Sequence, residues 1–305
     1  MISIVYHKVK KYDKNFKFDK FLHIKNFKKQ INFFERKYNF IDCMELFDVD
    51  QKFKKNDIFL TFDDGFKIHY KYVYPFLKEK KINGIFYLST LPFIEKKILT
   101  VHKIHILLSK IKSHLILGYI NRNLTKSMVD NYKLNKFKFF IYKRQKNIDE
   151  NVKIKKILNY SIKNRYQKDF VNKIFKFFFP TLSEKKFVND YYMNEIELKK
   201  LINEKMILGS HTVNHELLSS LSFKKAKSEI DLSMNYLSQF TKYKTFCYPY
   251  GSKMSYNNKI KKYLDKKNVS FSVAVTNRKI TNHDIMKNRQ ELPRYDCNNF
   301  KYGMV

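Results

Sequence analysis

Asp63 and Asp64 stand side by side in LTFDDGF, at the end of an apolar stretch and just before Gly65, one of only six glycines. Adjacent carboxylates repel. Such pairs are kept where a cation or a proton in transit needs negative charge nearby. A second stretch, GSHTVNHELLSS, carries His211 and His215 four residues apart. If the chain turns once between them, or is helical from Asn214 onward, both imidazoles face the same way. Two imidazoles and one carboxylate are a common three-ligand set for a catalytic zinc, with positions left open for water and substrate. One aspartate would be the ligand and the other the base that takes a proton from water. Each piece alone also has a bland reading. A strand-end Asp often caps the next helix, and a histidine pair at this spacing often does no chemistry. Most of the other seven histidines (His7, His23, His69, His102, His105, His114 and His283) read as surface or packing residues.

These residues need elements to hold them. Short apolar segments rich in Ile, Val, Phe and Tyr read as strands at Ile2–Tyr6, Asp57–Thr61, Gly84–Leu88, Met206–Gly209, Thr245–Tyr248 and Ser270–Thr276. Between them, Ile24, Phe27, Ile31, Phe34 and Tyr38 recur at helical steps. So do Phe223, Ala226, Ile230, Met234 and Leu237, behind Ser222 as an N-cap. Strands alternating with helices predict an α/β fold with a parallel sheet or barrel. Glycines flank three strand ends, in TFDDG, LGSHT and YPYG. In parallel α/β folds the loops after strand C-termini build the site. Three loops far apart in sequence are therefore expected to meet on one face.

The stretch from about 98 to 190 differs: it is Lys-rich, helical in pattern, and reads as an insertion within a single domain spanning 1–305. The 305 residues suffice for one α/β barrel with a sizeable core. Lys and Arg number 62 against 28 Asp and Glu, a net charge of +34. A polyanion partner is one reading of that charge. The other is composition bias, since Lys, Asn, Ile, Phe and Tyr share AT-rich codons and the lysines run through the whole chain. No nucleic-acid motif stands out, so no specific nucleic-acid partner is expected. Contact with an anionic membrane face is. Cys43, Cys247 and Cys297 form no CxxC and predict reduced thiols. The N-terminal apolar run is too short for a signal peptide. These readings together give a soluble, cytoplasmic protein able to lie at the inner face of a membrane.

LTFDDGF, GSHTVNH and FCYPYG resemble, in order, the first three motifs of polysaccharide deacetylases, the NodB-homology group of carbohydrate esterases. ISIVYHKV resembles the opening strand of the bacterial surface-glycan members, and LPRYD at Leu292–Asp296 their C-terminal segment. The resemblance implies a distorted (β/α) TIM-like barrel with a helical insertion and a divalent metal, usually zinc. It makes Asp63 the catalytic base and Asp64, His211 and His215 the metal ligands. The backbone N–H of Tyr250 would help hold the oxyanion. The implied reaction is hydrolysis of an N-acetyl group on an amino sugar of a polysaccharide or glycan intermediate.

Two departures stand out. Many members carry an arginine in the third motif that orients the base, and Cys247 occupies that place; Arg294 or a lysine is the expected substitute. The family's late histidine, which protonates the leaving amine, is also missing. His7, at the end of the first strand, is the candidate acid, with His283 in a loop as the weaker alternative. These losses motivate a second reading, a degenerate member that binds metal and glycan without turnover.

Overall fold

The strand pattern closes on itself in the computed structural model, which describes residues 1–130 and 149–304. Seven strands pair in chain order: β1 (Ile2–Tyr6), β2 (Asp57–Phe62), β3 (Ile85–Leu88), β4 (Ile207–Ser210), β5 (Thr245–Cys247), β6 (Phe271–Val275) and β7 (Leu292–Asp296). All pairings are parallel, and β7 returns to β1. The result is a closed α/β barrel, as expected. Closure satisfies the backbone groups that an open sheet leaves at its edges. β7 is the strand that periodicity does not find. LPRYD carries a proline and two charges, and it joins the ring because β1 and β6 each offer it an edge.

Alternation along the strands separates two environments. Ile58, Leu60 and Phe62 of β2 pack outward in one core with Phe27, Ile31 and Phe34 of the helix Ile24–Glu35. Phe59 belongs to the other core, with Ile85, Tyr87, Ile207, Cys247, Phe271, Val273 and Leu292. Those residues come from six strands around the ring and fill its interior. Thr61 and Asp63 continue the Phe59 alternation, so β2 delivers Asp63 to the interior face at its C-terminal end. Gly209 is required where β4 passes β3: a Cβ there would lie 2.4 Å from the Tyr87 ring. The helix Phe223–Leu237 begins behind the Ser222 cap and buries Ala226, Ile230 and Leu237. Phe223 is 43% exposed instead, against the Tyr263 ring.

The chain divides into two compact units. The barrel unit holds Met1–Tyr12, Phe21–Lys97 and Lys185–Val305; the second holds Asp13–Lys20 and Ile98–Glu184. The second unit contains the helices Thr100–Lys110, Ser113–Asn123, Asp149–Lys156 and Asn164–Phe178. It covers most of the stretch read as an insertion, ends at Glu184 and recruits a short upstream segment. Residues 131–148 of that stretch lie outside the described residues. The three cysteines are buried and free. Among the described residues, no helix is long and apolar enough to cross a membrane.

Candidate active site

Register fixes which residues reach the C-terminal rim. Tyr6 pairs with Phe62 and Leu88 with Ser210, so Asp63 and His211 both emerge one residue past a strand end. The Asp63 N–H donates to the Tyr6 carbonyl and the His211 N–H to the Leu88 carbonyl, each extending its ladder by one bond. The chain then turns sharply. Asp64 and Gly65 have φ of +80° and +69°. This left-handed region suits glycine and strains a β-carbon. Thr212, His215 and Tyr250 are also left-handed, at +66°, +56° and +64°. All three motif loops thus carry backbone strain, which surrounding structure must hold in place.

The two histidines converge through a loop, not a helix. His215 N–H donates to Thr212 Oγ1 at 3.0 Å, which closes the turn. Glu229 clamps the loop from outside. Its carboxylate accepts from the Val213 N–H at 3.1 Å, the Asn214 N–H at 2.8 Å and Asn214 Nδ2 at 2.6 Å. Glu229 was not identified from sequence, though a signal was there: it lies on the buried stripe of its helix with Ala226 and Ile230. A carboxylate among core positions needs donors. For any divalent ion that His211 and His215 hold, we expect Glu229→Ala to lower affinity by roughly ten- to a hundredfold, as loss of an outer positioning group does. Isothermal titration with zinc measures this; unchanged affinity would show that the loop holds its shape alone.

Asp64, His211 and His215 come together as the ligand set requires. Asp64 Oδ1 lies 3.7 Å from His211 Nε2 and 3.6 Å from His215 Nε2. One ligand atom from each falls within 4.8 Å of the others, and all three residues are buried. His211 Nδ1 lies 2.8 Å from the Cys247 carbonyl oxygen. That oxygen only accepts, so Nδ1 carries the proton and Nε2 presents its lone pair to the cluster. Burial holds His211 below the ordinary histidine range, which favours the neutral, ligating form. One hard oxygen and two imidazole nitrogens fit a zinc-like divalent ion.

Asp63 faces a different partner. Arg294, fully buried on β7, grips it with two parallel bonds, Nη1 to Oδ1 and Nη2 to Oδ2, both 2.7 Å. Arg294 Nη1 also donates to Thr61 Oγ1 at 2.9 Å, and Thr61 in turn donates to the Ile4 carbonyl. Cys247 Sγ sits 3.0 Å from Arg294 Nη2 and 3.5 Å from Asp63 Oδ2. Of the two candidates for the missing third-motif cation, the arginine is the one in place. Burial would raise the Asp63 pKa, but the charge and hydrogen bonds of Arg294 outweigh it and hold the carboxyl at about 2. Neighbouring His211 and His7 act in the same direction.

His7 Nε2 lies 3.8 Å from Asp63 Oδ2, with its side chain half exposed. His69, buried and held down to about 4 mainly by burial, hydrogen-bonds through Nε2 to the His7 carbonyl. His69 therefore fixes the backbone that carries His7. His283 does not lie in a loop; it is an exposed residue in the first turn of the helix Asn282–Lys287. The Tyr250 ring packs edge-on against His215 at 5.0 Å, which places its loop beside the ligand cluster.

The family model described as polysaccharide deacetylase matches residues 50–131 and 117–272. The chain belongs to the polysaccharide deacetylase family. Solved structures share the fold at low identity. Streptococcus pyogenes deacetylase PplD in complex with acetate is 14% identical, with a TM-score of 0.58 over 97% of this chain and 91% of that one. The de-N-acetylase from Aggregatibacter actinomycetemcomitans is 12% identical, with a TM-score of 0.54 over 96% and 93%. IcaB from Ammonifex degensii is 12% identical, with a TM-score of 0.53 over 96% and 90%. No curated protein sequence matches the chain.

Proposed function

We propose that this chain is a metal-dependent hydrolase that removes N-acetyl groups from an amino sugar of a polysaccharide or glycan intermediate. One observation carries the reading: Asp64, His211 and His215 converge while Asp63, the next residue and a close neighbour of His211, has both carboxylate oxygens held by Arg294. Adjacent carboxylates are thereby given separate tasks. Asp64, His211 and His215 would hold a divalent ion, zinc by the donor set. Bound there, the ion supplies Lewis-acid polarisation and a lowered pKa for water.

Asp63 is the proton acceptor. Its pairing with Arg294 keeps it ionised and fixes the direction of both oxygens. The Tyr250 N–H is the backbone donor toward the charge that develops on the acetyl oxygen. His7 is the proton donor to the leaving amine, since it reaches the Asp63 side of the site from the solvent edge. His7→Ala is expected to lower kcat for acetate release by about a hundredfold, a usual contribution for a general acid. An unchanged kcat would leave His7 a strand-end residue with only a structural contact.

The binding-only alternative was motivated in part by the missing arginine, and Arg294 supplies that contact. The test is acetate release from N-acetylglucosamine oligomers. Release should stop with a chelator and return with added zinc. A protein that holds zinc yet releases no acetate from a broad panel of N-acetylated sugars would be the binding-only form.

A further inference from the structure

The second unit carries an apolar face that its own core does not use. That core is built from Ile104, Leu107, Ile116, Ile120, Ile154, Leu158, Val171 and Ile174, all buried. Beyond it, the helix Asn164–Phe178 ends in aromatic residues that lead outward. The Tyr119 ring touches buried Phe170 at 6.3 Å on one side and Phe177 at 4.9 Å on the other. Phe177 meets Phe178 at 5.1 Å and is itself 58% exposed. Leu115, one turn before Tyr119 on the helix Ser113–Asn123, is 49% exposed. An apolar tip of this kind is costly in water and calls for an occupant.

Charge indicates which occupant. The exposed cations Lys173 and Lys176 lie four and one residues before Phe177 on its helix, and Lys112 and Arg122 stand at the cap and in the last turn of the helix of Leu115 and Tyr119. The helix Ser113–Asn123 contains no carboxylate, and Asn164–Phe178 contains one, Asp169. A second copy of this face would bring like charges together. A bilayer with anionic headgroups offers both a negative surface and hydrocarbon beneath it. Aliphatic Leu115 beside the aromatic residues suits acyl chains better than stacked bases. We propose that Leu115, Tyr119, Phe177 and Phe178, with these cations on the same two helices, form a docking surface that inserts into an anionic phospholipid bilayer. This surface stands apart from the deacetylase reading and does not depend on it.

The chain has no tryptophan, so Phe177→Trp in the full chain gives a single fluorescent reporter at the centre of the tip. Its emission is expected to shift to the blue on vesicles containing roughly one third phosphatidylglycerol in phosphatidylcholine at physiological salt. Lipids brominated along the acyl chain should quench it, and pure phosphatidylcholine vesicles should leave it unmoved. Phe177→Ser keeps the charge and is expected to weaken binding to the anionic vesicles about tenfold. Vesicle binding with neither blue shift nor loss in Phe177→Ser would mean adsorption through general positive charge and would overturn the proposal. A blue shift that grows with protein concentration without vesicles would assign the tip to a second copy. A shift on single-stranded RNA but not on vesicles would assign it to nucleic acid.

Discussion

Asp63→Asn is expected to reduce kcat for acetate release by a factor on the order of 10³ while zinc stays bound. Asparagine keeps the shape and one accepting oxygen but cannot take a proton at working pH. Asp64, His211 and His215 are untouched, so metal retention reports that the site still folds. The effect separates the roles of two neighbouring carboxylates. If zinc leaves together with activity, Asp63 is a ligand and the division of labour is wrong. If activity survives, some other group accepts the proton.

Arg294→Met carries the next largest effect, a loss of about 10² to 10³ in kcat with a changed pH profile. Arg294 is a positioning residue: its two bonds of 2.7 Å fix Asp63 and offset the penalty of burying it. With the guanidinium gone, burial is opposed only by the smaller effects of His211 and His7, and the Asp63 pKa rises from about 2. A base must be ionised, so the acid limb of the pH–rate profile moves up, and activity disappears at a pH where the wild type still works. Stability follows the same sign. The folded pKa is depressed, so the stabilisation is complete above the ordinary carboxylate value and is lost as pH falls through about 2. Removing Arg294 leaves a buried carboxylate without its two-pronged partner, a cost of up to about 3–5 kcal/mol. Arg294→Lys keeps the charge without the fork, so it should hold the acid limb low while losing part of kcat. An acid limb that stays put in Arg294→Met would show that the pairing serves the fold and not the base.

Much of this arrangement could be read in the sequence. Asp63, Asp64, His211 and His215 announce themselves because charged and ligating residues interrupt apolar strands at glycine-marked turns. Six of seven barrel strands follow from β-branched and aromatic enrichment. The parts left open or hidden depend on contacts between distant segments: the sequence offers Arg294 or a lysine for the missing cation and does not choose between them. Arg294 lies 231 residues from Asp63 in the chain, on a strand whose proline and charges obscure it. Its meaning comes from alternation inside a closed ring, which aims it at the same interior as Thr61 and Cys247. Glu229 looks like one more charge on an amphipathic helix until Val213 and Asn214 are seen to donate to it. The loop between the histidines reads equally well as a helical turn by spacing. Left-handed Thr212 and His215 bring the two rings together instead.

The most direct test of the central claim is the metal content of the purified chain. Wild type is measured beside His211→Ala, with acetate release from N-acetylated sugar oligomers assayed on the same samples. The account predicts one tightly held divalent ion in the wild type, lost in His211→Ala together with acetate release. A wild-type chain that takes up no divalent ion under any loading condition, or a His211→Ala variant that keeps both ion and activity, would contradict it.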